Sequence, residues 1–168
     1  MPDDRIEDQI HRLNLAVERF EASVDPLEPH SFLAKLNGWS PRDILAHLIG
    51  WNYQVIEGSK QIQLGELPFY DIDPGENYSK VNEALVRRFR STDRQVLIQE
   101  LHSSARDLQT YLESLEPEAW AKDFGVRHGG SKVTIRDTVE ELIEDYNHHR
   151  RQIQRWQSLA LEISFGQE

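Results

Sequence analysis

The sequence predicts an all-α fold, a four-helix bundle formed by a single domain over residues 1–168. Three observations carry this. Apolar residues recur at alternating spacings of three and four along four separate segments. Two of those segments open on strong helix-start signals, and no stretch alternates polar and apolar residues long enough to make a sustained strand.

In the first segment Ile6, Ile10, Leu13, Val17, Phe20 and Val24 share one helical face, predicting a helix over about residues 4–24. Asp25-Pro26 ends it, because a residue before proline is pushed out of the helical region. A connection with apolar anchors at Phe32, Leu33 and Leu36 leads to Gly38. Ser40-Pro41-Arg42-Asp43 then opens the second helix, with Ser40 as N-cap, Pro41 in the first helical position and Asp43 able to reach back to the cap. Trp39 and Ile44 flank that cap as a hydrophobic staple. Ile44, Leu48, Trp51 and Val55 form its apolar stripe, His47 lies inside the stripe, and the helix runs to about Leu64 before Gly65.

Residues 65–77 read as a loop. A third pattern starts near Tyr78 with Val81, Leu85 and Phe89, is interrupted at Ser91-Thr92-Asp93, and resumes through Leu97, Leu101, Ala105, Leu108, Leu112 and Leu115. The interruption fits a kink, a register shift or a true break. After a connection from Pro117 to Lys132, Thr134 caps a fourth helix with Asp137 three residues on. Its stripe is Ile135, Val139, Leu142, Tyr146, His149, Ile153 and Trp156.

Composition excludes several classes of function. With no cysteine, thiolate catalysis, disulfides and iron–sulfur clusters are ruled out, so chemistry must rest on nitrogen and oxygen. A net charge of −10 argues against a nucleic-acid partner and against an anionic membrane surface. The acidic N-terminus lacks the basic and apolar regions of a signal peptide, and no apolar run spans a bilayer; a cytoplasmic protein is the expectation.

The seven histidines separate by position. His11, His30, His102 and His128 have no partner pattern and read as surface residues. His47 lies on the second helix's inner stripe, while Asp145 and His149, four residues apart, project from one face of the fourth helix. A carboxylate and an imidazole at that spacing converge on one ion, and a third ligand from a facing helix is how bundles build metal sites. Such a set suits zinc, nickel, iron(II) or manganese and leaves positions open for water or substrate. The same residues also read as a core histidine beside an ion pair on a helix flank. Glu141 and Glu144 read as solvated; Glu144 and His148 are the candidate proton-transfer groups. Trp51, Tyr146 and Trp156 read either as core aromatics or as walls of a substrate pocket.

The segment Gly38-Trp39-Ser40-Pro41-Arg42-Asp43-Ile44-Leu45-Ala46-His47-Leu48-Ile49-Gly50-Trp51-Asn52, together with Tyr146-Asn147-His148-His149-Arg150-Arg151-Gln152-Ile153, resembles the DinB-like superfamily, most closely its ClbS/DfsB-type branch. The resemblance implies an up-down-down-up bundle, often dimeric, with a divalent metal held by three histidines. On this chain His47 and His149 match two of the ligands, and Asp145 stands where the third is usually histidine. It also implies a hydrolase or thiol-dependent transferase acting on a small electrophilic molecule in stress or detoxification. A low-molecular-weight thiol is then the cosubstrate, because the chain supplies none. The ClbS-type branch implies the alternative of a protective bundle that works without metal.

Overall fold

The computed structural model describes residues 2–36, 38–91 and 93–165, with side chains described from Arg5 to Leu159. Met1, Thr92 and residues 166–168, which the sequence reading included in the domain or in the interrupted third helix, lie outside the described residues. Among the described residues six α-helices run in chain order: α1 (Pro2–Val24), α2 (Pro29–Leu33), α3 (Pro41–Gln63), α4 (Ser79–Phe89), α5 (Arg94–Glu113) and α6 (Ile135–Phe165). A small hairpin, β1 (Arg127–His128) with β2 (Ser131–Lys132), precedes α6. All-α is thus the observed class.

The start signals behave as the local chemistry requires. Ser40 Oγ accepts from the Asp43 amide, and Asp43 returns the bond by accepting from the Ser40 amide, both at 3.1 Å. Thr134 Oγ1 caps α6 by accepting from the Asp137 amide at 3.1 Å. The interruption at residues 91–93 is a true break: Asp93 Oδ1 accepts from the Gln95 and Val96 amides and starts α5 afresh. In the hairpin, Gly129 and Gly130 both take positive φ, 57° and 82°, the backbone a tight two-residue turn demands.

Helix α1 packs on α6 and α5, and α3 packs on α5, α4 and α6. The four long helices therefore form a ring in the order α1–α5–α3–α6, with α4 as an outer layer on α3. One continuous hydrophobic core fills the ring, including Phe20, Leu48, Ile62, Leu101, Leu108 and Tyr146. Phe20 meets the Tyr146 ring edge-on at 5.9 Å. A buried polar chain crosses this core. Tyr146 Oη donates to Asn52 Oδ1 at 2.7 Å, Asn52 Nδ2 donates to Ser104 Oγ at 2.9 Å, and Ser104 donates to the Leu101 carbonyl at 3.2 Å. It ties α6, α3 and α5 together. Among the described residues no helix is long and apolar enough to cross a membrane.

Candidate metal centre and cleft

Two glycines on α3 set the walls of the site. A Cβ on Gly50 would fall 2.7–3.0 Å from the Leu85 side chain, and one on Gly58 within 2.6–3.0 Å of the Tyr70 ring. Their absence lets α4 and the 3₁₀ turn Phe69–Asp71 press against α3, around the face that carries His47.

His47, Asp145 and His149 come together with one ligand atom each within 4.8 Å of the others. His47 Nε2 lies 2.8 Å from Asp145 Oδ2, and His149 Nε2 lies 3.3 Å from Asp145 Oδ1. Both imidazoles are buried and their ring centroids are 5.3 Å apart. Trp39 covers them, 5.0 Å from His47 and 6.3 Å from His149, in addition to its place beside the helix cap.

Burial lowers the pKa of His47 below its ordinary value, against the opposing pull of Asp145, so its imidazole favours the neutral form that ligates metals. Burial alone would raise the pKa of Asp145; hydrogen bonds from His149 and His47, when their Nε2 atoms carry protons, outweigh it and hold the carboxyl well below the usual range.

The donor set fits a divalent metal. His149 Nδ1 lies 3.0 Å from Gln152 Oε1; in the neutral tautomer that donates there, the Nε2 lone pair faces a carboxylate oxygen 3.3 Å away. Two acceptors at that separation need a proton or a metal ion between them. His47 Nδ1 is buried and has no hydrogen-bond partner among the described residues, so Asp145 at Nε2 is the one group that fixes that ring. With one ligand atom from each residue inside 4.8 Å, His47, Asp145 and His149 would hold such an ion.

A cleft of about 520 Å³ opens onto His47 and Asp145. Trp51, Glu144 and His148 line it, as do Tyr70, Asp71, Tyr78, Asn82, His128 and Glu141. His149 is not among its lining residues, nor are Tyr146 and Trp156. Tyr146 is fully buried and points its hydroxyl at Asn52; Trp156 packs half-buried against the core. Tyr70, Asp71 and Tyr78 belong to the stretch around the 65–77 loop, where no periodicity marks a position as inward. His128 and Glu141, read from sequence as surface residues, line the cleft, His128 half-buried and Glu141 still exposed. The sequence signal for Glu141 was present: it precedes Asp145 by four residues on the same helix face.

A model of the DinB superfamily matches residues 12–153. No curated protein matches the chain. Among solved structures it is similar to the colibactin self-resistance protein ClbS in complex with a dsDNA, at TM-score 0.72 and 15% identity over 90% of this chain and 94% of that one. A Streptococcus pneumoniae protein matches with TM-score 0.71 and 15% identity over 91% and 90% of the two chains. An uncharacterised protein from Clostridium difficile 630 gives TM-score 0.72 and 15% identity over 91% and 95%. The ClbS complex overturns the sequence-based expectation of no nucleic-acid partner: a relative in fold is seen with double-stranded DNA, and net charge reports the whole chain rather than any one face of it. By fold and by a family match over most of its length, the chain belongs to the DinB superfamily.

Proposed function

We propose that this chain is a divalent-metal-dependent catalyst that acts on a small electrophilic molecule, by hydrolysis or by transfer of a low-molecular-weight thiol. The single observation that carries the reading is the His47–Asp145–His149 group, whose ligand atoms lie within 4.8 Å of one another and whose His47 and Asp145 line a cleft. Those three residues would hold zinc, nickel, iron(II) or manganese. When bound, the ion supplies Lewis acidity toward a substrate oxygen and toward the attacking water or thiol.

The chain's own groups do the rest. Gln152 orients His149, and Trp39 keeps water from the far side of the two imidazoles. Glu144 and His148 line the cleft next to Asp145 and are placed to take a proton from the nucleophile and return it to the leaving group. Trp51 forms a wall against which the substrate packs. A cytoplasmic location and a homodimer belong to the same reading.

Elemental analysis of untagged protein tests it. One equivalent of transition metal per chain is expected, lost in His47→Ala and in His149→Ala. Added zinc at a hundred times its Kd should also stabilise the wild type by about 2.7 kcal/mol. Metal-free protein that gains no thermal stability from zinc, nickel or manganese overturns the reading.

A second reading, a protective bundle that works without metal, is favoured by one observation: His47 Nε2 and Asp145 Oδ2, 2.8 Å apart, make a good hydrogen bond with each other. ClbS, similar in fold, is named a self-resistance protein and is crystallised with dsDNA. Binding of a short fluorescent duplex, with an affinity that falls steeply with salt and survives chelation, would support this second reading.

A further inference from the structure

One amide at the rim of the cleft has a fixed orientation. Asn82 lies on α4 one turn before Leu85, the side chain that fills the space Gly50 leaves on α3. That packing sets Asn82 beside Trp51, and Asn82 Oδ1 accepts from the Trp51 Nε1–H at 2.8 Å. An indole nitrogen can only donate, so the amide oxygen is the atom turned to Trp51 and the NH2 group is turned away from it. Asn82 lines the cleft and also a shallower groove beside Trp39, so its amide stands where the two open spaces meet. Trp51 lies 6.4 Å from the His47 ring, so a single indole separates Asn82 from the metal group.

Other donors of the cleft are already spent. The Tyr78 hydroxyl donates to Asp71 at 2.7 Å and the Thr138 hydroxyl to the Thr134 carbonyl at 2.9 Å. Asn82 Nδ2 carries two hydrogens, and no group among the described residues accepts either of them. The residue is half-buried, so these hydrogens are open to the cleft, and an oxygen acceptor of a ligand can take the place of water there. The charge of the facing wall narrows which acceptor. Asp137, Glu141, Glu144 and Asp145 line the cleft from α6, against the exposed Lys132, and their carboxylates repel an anionic oxygen. A carbonyl oxygen is an uncharged acceptor and escapes that repulsion.

We propose that Asn82 is a ligand-binding residue of the cleft, donating from Nδ2 to the carbonyl oxygen of a neutral acyl compound, an amide, lactam or ester. This deepens the proposed function and rests on its reading of the cleft as the ligand site. The electrophile is then an acyl carbon, whose electron deficiency a hydrogen bond on its oxygen increases. Trp51 is the positioning residue: its N–H holds the amide oxygen and thereby aims the donor. An aspartate in place of Asn82 would still serve Trp51 but would meet the ligand oxygen with another oxygen.

The test uses N,N-dimethylbenzamide and its thiocarbonyl analogue, which have no N–H of their own and differ in one atom, a strong oxygen acceptor against a weak sulfur one. Both are titrated into the isotope-labelled full chain and followed by NMR, after chelation and again with zinc, with zinc content measured on the same samples. In chelated wild type the amide should bind about three- to tenfold more tightly than the thioamide. It should also move the Asn82 side-chain NH2 signals, assigned by their loss in Asn82→Asp. Asn82→Asp and Asn82→Ala should both abolish the preference; Asn82→Asp retains an acceptor for Trp51, so its melting profile should match that of the wild type. Equal affinities, no binding of the amide at millimolar concentration, unmoved Asn82 signals, or a preference that survives in both variants overturns the proposal. One zinc per chain together with no preference overturns the Asn82 assignment alone. A preference in protein that takes up no zinc overturns the metal reading alone.

Discussion

Replacing Tyr146 by phenylalanine separates a structural role from a ligand-binding one. Tyr146 is fully buried, and its hydroxyl is the group that donates to Asn52 Oδ1 in the polar chain through the bundle core. Tyr146→Phe keeps the ring, and with it the edge-on contact to Phe20, but leaves a buried amide oxygen without a donor. That orphaned acceptor costs about 1–3 kcal/mol. In a chain of this length each kcal/mol lowers the melting temperature by roughly 2–4 °C, so the drop should lie between about 2 and 12 °C. Urea unfolding is the assay, with a lower midpoint and an unchanged slope. Zinc affinity should stay as in the wild type, because Tyr146 does not line the cleft. Replacing Asn52 by leucine in the same background should recover part of the loss, since removing both partners leaves nothing unsatisfied between them. A stability change below about 0.5 kcal/mol, or a weakened ligand with unchanged stability, would refute the reasoning.

Three further outcomes follow from the same structure. Gly58→Ala places a methyl 2.6 Å from the Tyr70 ring, so it should cost about 1–3 kcal/mol in a thermal melt. Ser40→Ala removes the acceptor for the Asp43 amide and should cost about 0.5–2 kcal/mol, read as a shift in the urea midpoint. Arg12 meets Glu140 through two guanidinium bonds, at 2.7 and 3.0 Å, and this pairing is the main reason Glu140 is held below its ordinary pKa. A carboxylate whose folded pKa is depressed stabilises the fold above its unfolded value, about 4.3, and that stability is lost as pH falls through the folded value. Because both side chains are well exposed, Arg12→Ala should cost under about 1 kcal/mol at pH 7, and the cost should vanish as acid protonates Glu140.

Much of the helix architecture was legible because its causes are local. Ser40, Pro41 and Asp43 sit within one turn and satisfy each other's backbone groups wherever the chain goes, so the start of α3 can be read without any tertiary contact. The i, i+4 relation of Asp145 and His149 is equally local, as is the inward position of His47. The break before α5 was left open, because its cause, the Asp93 side chain bonding two amides, competes with a continuous apolar stripe that spacing alone cannot arbitrate.

What lay beyond the sequence is non-local. A helical wheel says that Tyr146 points inward but not at what, and the structure gives it Asn52 rather than the cleft. Trp39 has no place on a wheel and ends over two imidazoles from two different helices. Tyr70, Asp71 and His128 reach the cleft because a glycine on α3 admits the Tyr70 ring and a two-glycine turn folds the hairpin beside α6. The sequence by itself determined which residue types exist for chemistry, a cysteine-free set of histidines and carboxylates, and which helix face carries His47, Asp145 and His149. Only the tertiary structure decided that one carboxylate bridges two imidazoles and that loop residues Tyr70, Asp71 and Tyr78 line the same cleft. Helix faces follow from a period of 3.6 residues, whereas the meeting of loops and helices depends on packing between segments far apart in the chain.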